Sequence, residues 1–278
     1  MTNAQTTEFI PLMELPLTNG FLFGETMYDA ETSRTALEII LGMEIAEVIL
    51  VNKEQHLDVD GIHKGIRLDI FVKDTKGCIY NVEMQTDNRY NIPKRSRHYQ
   101  SVIDIKLLPA GEIDYNKLND TIIIFICTFD LFGQNRYLYE FENRCTQDTS
   151  LCLKDGTRKV YLNTHGTNDS EVSPELIEFL HMLENPQLTN IQSPKVQKIY
   201  NRVKTVKQDS QVEARYMREL TYEKELIEKG IEKGIEQGIS QERKLLIEKK
   251  LAKGQTMEQI AEALELDIDT IKELMKNI

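Results

Sequence analysis

Apolar residues recur along this chain with two different periods, and the change from one to the other divides it. In 32–42, "TSRTALEIILG", Ala36, Leu37, Ile40 and Leu41 return at helical spacing, and Gly42 can end the helix. Residues 45–51, "IAEVILV", read as a β-run, and 66–72 and 78–85 alternate like the two strands of a hairpin. Residues 121–129, "TIIIFICTF", are apolar throughout and β-branched, which suits a central strand buried on both faces. Further strands are expected at 136–142 and 158–163, the second after a turn at Asp155-Gly156. Helices are expected over 93–108, with Pro93 in the first turn, and over 173–184, opened by Ser173 and Pro174. Residues 1–20 read as irregular, and after about residue 190 the strand signals vanish into a charged helical stretch. The order predicts an α/β core, a sheet flanked by helices, followed by an all-α C-terminal tail.

The hairpin holds an anomaly. Its strands read "RLDIFVKDTKGCIYNVEMQ", and carboxylates sit inside both. A three-residue loop, Thr75-Lys76-Gly77, with glycine in the left-handed position would pair Asp74 with Cys78. Counting back, Val72 faces Tyr80, Asp69 faces Glu83, and Arg67 faces Gln85. Leu68, Ile70, Val72, Tyr80, Val82 and Met84 then share an apolar face, and the four polar groups share the other. A loop one residue longer would slip the register and dissolve the cluster. Directly opposed carboxylates have Cβ atoms roughly 5 Å apart and repel each other. Two arrangements relieve this: a hard divalent cation between them, or a solvent-facing strand with Arg67 bridging the two.

Composition narrows the field. The chain has 278 residues, 40 % of them hydrophobic, and a net charge of −11. It can bury a core, and nucleic-acid contact would have to come from a local basic patch. No apolar run approaches the roughly 18–20 residues that span a bilayer, and the N-terminus lacks the pattern of a signal peptide. Cys78, Cys127, Cys145 and Cys152 form no CxxC pair and are too few for a disulfide scaffold. A reducing cytoplasm is the expected setting, with Cys127 in the core.

"GIRLDIFVKDTKGCIYNVEMQ" resembles the core motif of PD-(D/E)XK nucleases, an aspartate on one strand and an acidic-x-basic or acidic-x-glutamine triplet on the next. More narrowly, that stretch together with "PKRSRHYQSVIDIKLLPAGEIDY", "IIIFICTFDLFG", "YEFENRC" and "KVYLNTHG" resembles the Rpn-like recombination-promoting nucleases, also called PD-(D/E)XK nuclease family transposases, over about residues 14–190. The resemblance implies a restriction-endonuclease-like mixed sheet and Mg²⁺-dependent hydrolysis of DNA, with Mn²⁺ as a substitute cation. It implies Asp69 and Glu83 as metal ligands and Gln85 in the place of the usual lysine. An amide can orient a water but cannot take its proton. An acid from the first helix joins the site in some of the wider superfamily, and Glu38 is the candidate here. The competing reading is a catalytically inactive DNA-binding or oligomeric assembly protein that keeps the fold.

"RYNIPKRSRHYQ" at 89–100 gathers Arg89, Lys94, Arg95, Arg97 and His98 with no acid among them. At the start of a helix, such a segment can hold phosphates. Lys94, Arg95 and Arg97 are therefore expected DNA contacts, and the family resemblance implies Tyr99 beside them, the alternative being that Arg95 or Arg97 pairs with carboxylates of the core. Three parts are expected: a nuclease-like domain over 1–200, a charged helical linker over 201–245, and a small helix-turn-helix-like segment over 246–278. In the linker, "EKGIEKGIEQGI" repeats every four residues. Its three glycines cost a helix about 1 kcal/mol each, which close approach of a second helix would offset. A homodimer through these helices is one reading and a solvated linker the other. In the last segment, Asp267, Asp269 and Glu273 against Lys272 and Lys276 favour protein packing over reading of a DNA groove.

Overall fold

The computed structural model describes residues 10–57 and 64–275. The strands are β1 (Val48–Leu57), β2 (Ile66–Asp74), β3 (Ile79–Gln85), β4 (Thr121–Cys127), β5 (Leu138–Phe141) and β6 (Thr157–Asn163). They form one mixed sheet in the order β1-β2-β3-β4-β6-β5. β3, β4 and β6 run parallel, and β1, β2 and β5 pair antiparallel to their neighbours. The parallel centre is where the chain is most apolar. Every residue of β4 is buried, as its unbroken Ile-rich run requires.

Helices cover both faces. On one lie α1 (Gly20–Met27), α2 (Ala30–Leu41), α4 (Pro174–Glu184) and α5 (Pro194–Lys207). Phe23, Met27, Leu37, Ile40 and Phe179 from this layer meet Ile70, Val72, Val82 and Ile126 of the sheet. On the other lies α3 (Ile92–Leu107), whose Ile92, Tyr99, Val102 and Ile103 pack with Phe71, Ile79, Ile123, Phe125 and Tyr161. The expected helices all form. Asp29 caps α2, Gly42 closes it in the left-handed conformation, and Ser173 caps α4.

Two elements depart from expectation. The sequence predicts an irregular segment over 1–20; 1–9 lie outside the described residues, and a 3₁₀ turn at Leu12–Glu14 and α1 follow. "GFLFGETM" carries two glycines and buries Leu22, Phe23, Thr26 and Met27 together, so it shows no polar stripe to betray a helix. β1 runs on through "NKEQHL" because it is the edge strand, where polar residues stay partly wet.

The chain separates into two compact units, 1–213 and 214–278, with the boundary inside α6 (Ser210–Ala252), an unbroken helix of 43 residues. In the second unit, α7 (Met257–Leu264) and α8 (Ile268–Met275) join the end of α6 around Ile247, Ile260, Ala261 and Ile271. Thr256 and Gln259 form a capping box on α7. Lys276 lies outside the described residues. Ile227, Ile231, Ile235 and Ile239 are exposed along α6, and a Cβ added at Gly230, Gly234 or Gly238 would meet no other part of the described residues within 4 Å.

The backbone packs closely just after β6. A Cβ on Gly166 would lie 2.5 Å from the backbone nitrogen of buried Tyr137. Gly166→Ala is therefore expected to cost about 1–3 kcal/mol of stability, read from the midpoint of urea unfolding; an unchanged midpoint would refute the contact.

Candidate active site

The site begins where two strands stop pairing. The loop Thr75-Lys76-Gly77 forms with Gly77 at φ 83°, and Asp74 N–H donates to the Cys78 carbonyl. The ladder of β2 and β3 then runs from Lys73↔Ile79 through Val72↔Tyr80 to Ile70↔Val82, the register counted from the sequence. Beyond Ile70 side chains replace the backbone ladder. Met84 N–H donates to Asp69 Oδ2 at 3.1 Å, and Asp69 N–H donates to Glu83 Oε1 at 3.0 Å. Each carboxylate is thus fixed by the backbone of the other's neighbourhood. Ile66 and Leu68 pack with the α3 layer, whereas Ile70 and Val72 face α1 and α2. So the single apolar face expected for β2 is split, and the change of side falls at Asp69.

Glu83 is almost wholly buried, at 1 % exposure, and also accepts from Asn81 Nδ2 at 3.1 Å. Its second oxygen accepts from an Arg95 terminal nitrogen at 3.0 Å. Arg95's other terminal nitrogen donates to Gln85 Oε1 at 2.9 Å, and Gln85 Nε2 donates to the Met84 carbonyl at 2.6 Å. The guanidinium carbon lies 5.0 Å from the Phe125 ring centre and 5.3 Å from that of Tyr99.

Burial, then the neighbouring Asp69 charge, pushes the Glu83 carboxyl up to about 8, with Arg95 opposing. Burial also raises Asp69, against the pull of Arg67 and Arg95 and with the charge of Glu54 adding to the rise. Lys53↔Ile70 and Gln55↔Leu68 set Glu54 opposite Asp69, and its φ is 52°.

The carboxylates open into a cleft of about 680 Å³. Asp69, Glu83, Gln85, Lys94, Arg95 and Tyr99 all line it, so six of the expected site residues meet. Two do not. Arg97 is exposed and outside the lining, because two residues beyond Arg95 turn about 200° round a helix. Glu38 is on α2, where it pairs with Arg34 and Lys195 and accepts from Ile45 N–H; these cations hold its carboxyl below the usual range despite burial. Tyr99 lies under Arg95 with its hydroxyl donating to the Arg67 carbonyl at 3.4 Å. Thr18, Gly20, Lys64 and Arg67 also line the cleft and were not foreseen as a group. Arg67 belongs to the polar face counted from the hairpin register, whereas no pattern in the sequence places Lys64 beside it.

The donor set suits a hard cation: two carboxylates, all oxygen, with like charges turned toward each other. Among the described residues no group of three or more His, Cys, Asp or Glu is gathered for a metal. Two carboxylates with room left for waters and phosphate oxygens is what a magnesium-type site takes.

A six-stranded mixed sheet with helices on both faces, carrying an aspartate on one strand and a Glu-x-Gln on the next, defines a PD-(D/E)XK nuclease fold. The chain belongs to the PD-(D/E)XK nuclease family transposases, whose family model matches residues 22–230. No curated protein and no solved structure matches it.

Glu83 is expected to titrate near pH 8, and Asp69→Asn to lower that value by removing the like charge. A ¹³C titration of glutamate carboxyls checks both; no carboxyl ionising above pH 6 would sink the assignment. The sign for stability follows. Between about pH 5 and 8 the folded chain holds a proton that the unfolded chain has lost, so this group's contribution to stability falls as pH rises through that window.

Proposed function

We propose that the protein is a divalent-metal-dependent deoxyribonuclease tied to mobile-element biology, with Mg²⁺, or Mn²⁺ in its place, held by Asp69 and Glu83. The observation that carries this is the pair of carboxylates meeting at the floor of a cleft, in a chain of this family. When bound, such a cation neutralises charge on a phosphodiester and lowers the pKa of an attacking water. The chain's own residues do the rest. Asp69 and Glu83 are pre-set by backbone N–H groups, so no side-chain ordering is left for the binding event. Lys94 and Arg95 sit in the first turn of α3 and line the cleft, where the helix N-terminus adds partial positive charge. Contacts of this kind position a DNA backbone without reading its sequence.

The second reading of function, an inactive DNA-binding or assembly protein, is set apart by one assay. Supercoiled plasmid should be nicked by the wild type in Mg²⁺, and Asp69→Ala and Glu83→Ala should slow nicking by roughly 10³-fold, the several kcal/mol that metal-assisted chemistry supplies. Equal nicking by wild type and Asp69→Ala excludes the metal-site reading. No nicking by the wild type across DNA forms and metals favours the inactive one.

The three-part organisation, with nuclease-like, linker and helix-turn-helix-like segments, belongs to the same proposal. So do a reducing cytoplasmic setting, in keeping with four free cysteines, and a homodimer through α6. The dimer reading rests on the exposed isoleucine stripe beside the open glycines. Removing residues 222–278 should lower the ratio of the mass measured by light scattering to the chain mass from two to one; an unchanged ratio refutes the dimer.

A further inference from the structure

The glutamine at position 85 leaves a gap in the chemistry. The general motif has a lysine there, two residues beyond the acid and on the same side of the strand. Its ammonium would bring a positive charge to the reacting phosphate. An amide brings none. It could still orient a water, but here the amide is already held at both ends: Oε1 accepts from Arg95 and Nε2 donates one of its two hydrogens to the Met84 carbonyl. Only this setting of the amide satisfies both bonds.

Arg95 is placed where that lysine's charge would be. It reaches from the first turn of α3 to the same two residues, binding Glu83 through one terminal nitrogen and Gln85 through the other. Phe125 and Tyr99 support the guanidinium, which fixes its plane. Its Nε is buried with no partner, so neither of the two bonds it makes comes from that atom. Each terminal nitrogen carries two hydrogens and spends one on the protein, so each has a donor left for an oxygen in the cleft that Arg95 lines. Planar forks of this kind suit phosphate oxygens.

We propose that Arg95 supplies the positive charge absent at position 85, donating to a phosphate oxygen of the bound DNA strand, and that Gln85 is the positioning residue that aims it. This rests on the nuclease reading. The guanidinium stays protonated throughout the working range of pH. Its contribution is therefore charge stabilisation, and no proton moves through it. Gln85 is assigned away from water and toward the arginine.

The test uses the full chain with Arg95→Met, Gln85→Ala and the double variant Gln85→Lys/Arg95→Met. Two readouts are taken: plasmid nicking in Mg²⁺, and anisotropy of a labelled short duplex in Ca²⁺, where binding is read without cleavage. Arg95→Met should lose roughly 100-fold in nicking and weaken duplex binding. The double variant should recover at least about tenfold over Arg95→Met, because its lysine returns the charge from the strand side. A purely structural arginine would show no such rescue. Nicking by Arg95→Met within about threefold of wild type, or a double variant no better than Arg95→Met, overturns the proposal. Should Arg95→Met fail to fold, Gln85→Ala decides: it leaves the Glu83 bond and the ring platform, and it should still lose about tenfold, whereas unchanged nicking overturns the role. Should the wild type not nick at all, the nuclease reading fails by itself. Duplex binding then judges the arginine: weakened in Arg95→Met and restored in the double variant supports it, and equal binding in all three overturns it.

Discussion

Two carboxylates are forced together out of water, and the rest of the site is organised around that repulsion. Asp69 and Glu83 come from adjacent strands in a register that leaves them side by side, with Glu83 buried. Removing a charge from water costs several kcal/mol unless it is paired or neutralised. The protein answers with three devices. Backbone N–H groups bind one oxygen of each acid. Asn81, itself fully buried, adds a donor to Glu83. Arg95 brings the one full positive charge in direct contact with Glu83 among the described residues. These leave two acids against one guanidinium, a deficit that a cation would fill. The splaying of β2 from β3 belongs to the same account, since the backbone bonds that a continued ladder would have made are the ones the carboxylates take over.

The hairpin was the most legible part of the chain. A glycine three residues into a polar loop set its register, and the alternation on either side agreed with it, so Asp69 and Glu83 could be brought together on paper. Central strand β4 was equally plain, because a run of seven buried residues leaves no polar pattern to misread. Two things were hidden. α1 carries two glycines and buries Glu25 and Thr26 along with Leu22, Phe23 and Met27, so periodicity had no polar stripe to detect. Arg95 sits in a segment rich in cations, and sequence composition cannot tell one that faces solvent from one drawn onto a buried carboxylate. Glu38 is set apart for a related reason: an acid on an early helix is not placed by its order in the chain, and here it pairs with Arg34 and Lys195 outside the cleft lining.

The arrangement would also let an acidic protein receive the anionic substrate that the proposed function requires. At net charge −11 the surface as a whole repels DNA. Lys64, Arg67, Lys94 and Arg95 are concentrated at one cleft, around the acids rather than on a separate patch. Attraction therefore acts over a short distance, within about a Debye length of 8 Å in physiological salt. Such a surface favours a strand already opposite the cleft over one passing elsewhere.

The four-residue repeat of α6 has a consequence for how the chain can change. Each "EKGI" unit advances a helix by about 6 Å and by 400°, leaving the next isoleucine only about 40° out of line with the last. Losing or gaining one whole unit therefore shortens or lengthens the helix while nearly preserving the azimuth of everything beyond it, including α7 and α8. A change of one, two or three residues would instead swing that end by about 100°, 160° or 60°. The repeat makes length a variable that can drift in units of four, and the residual 40° accumulates as a right-handed winding of the apolar stripe.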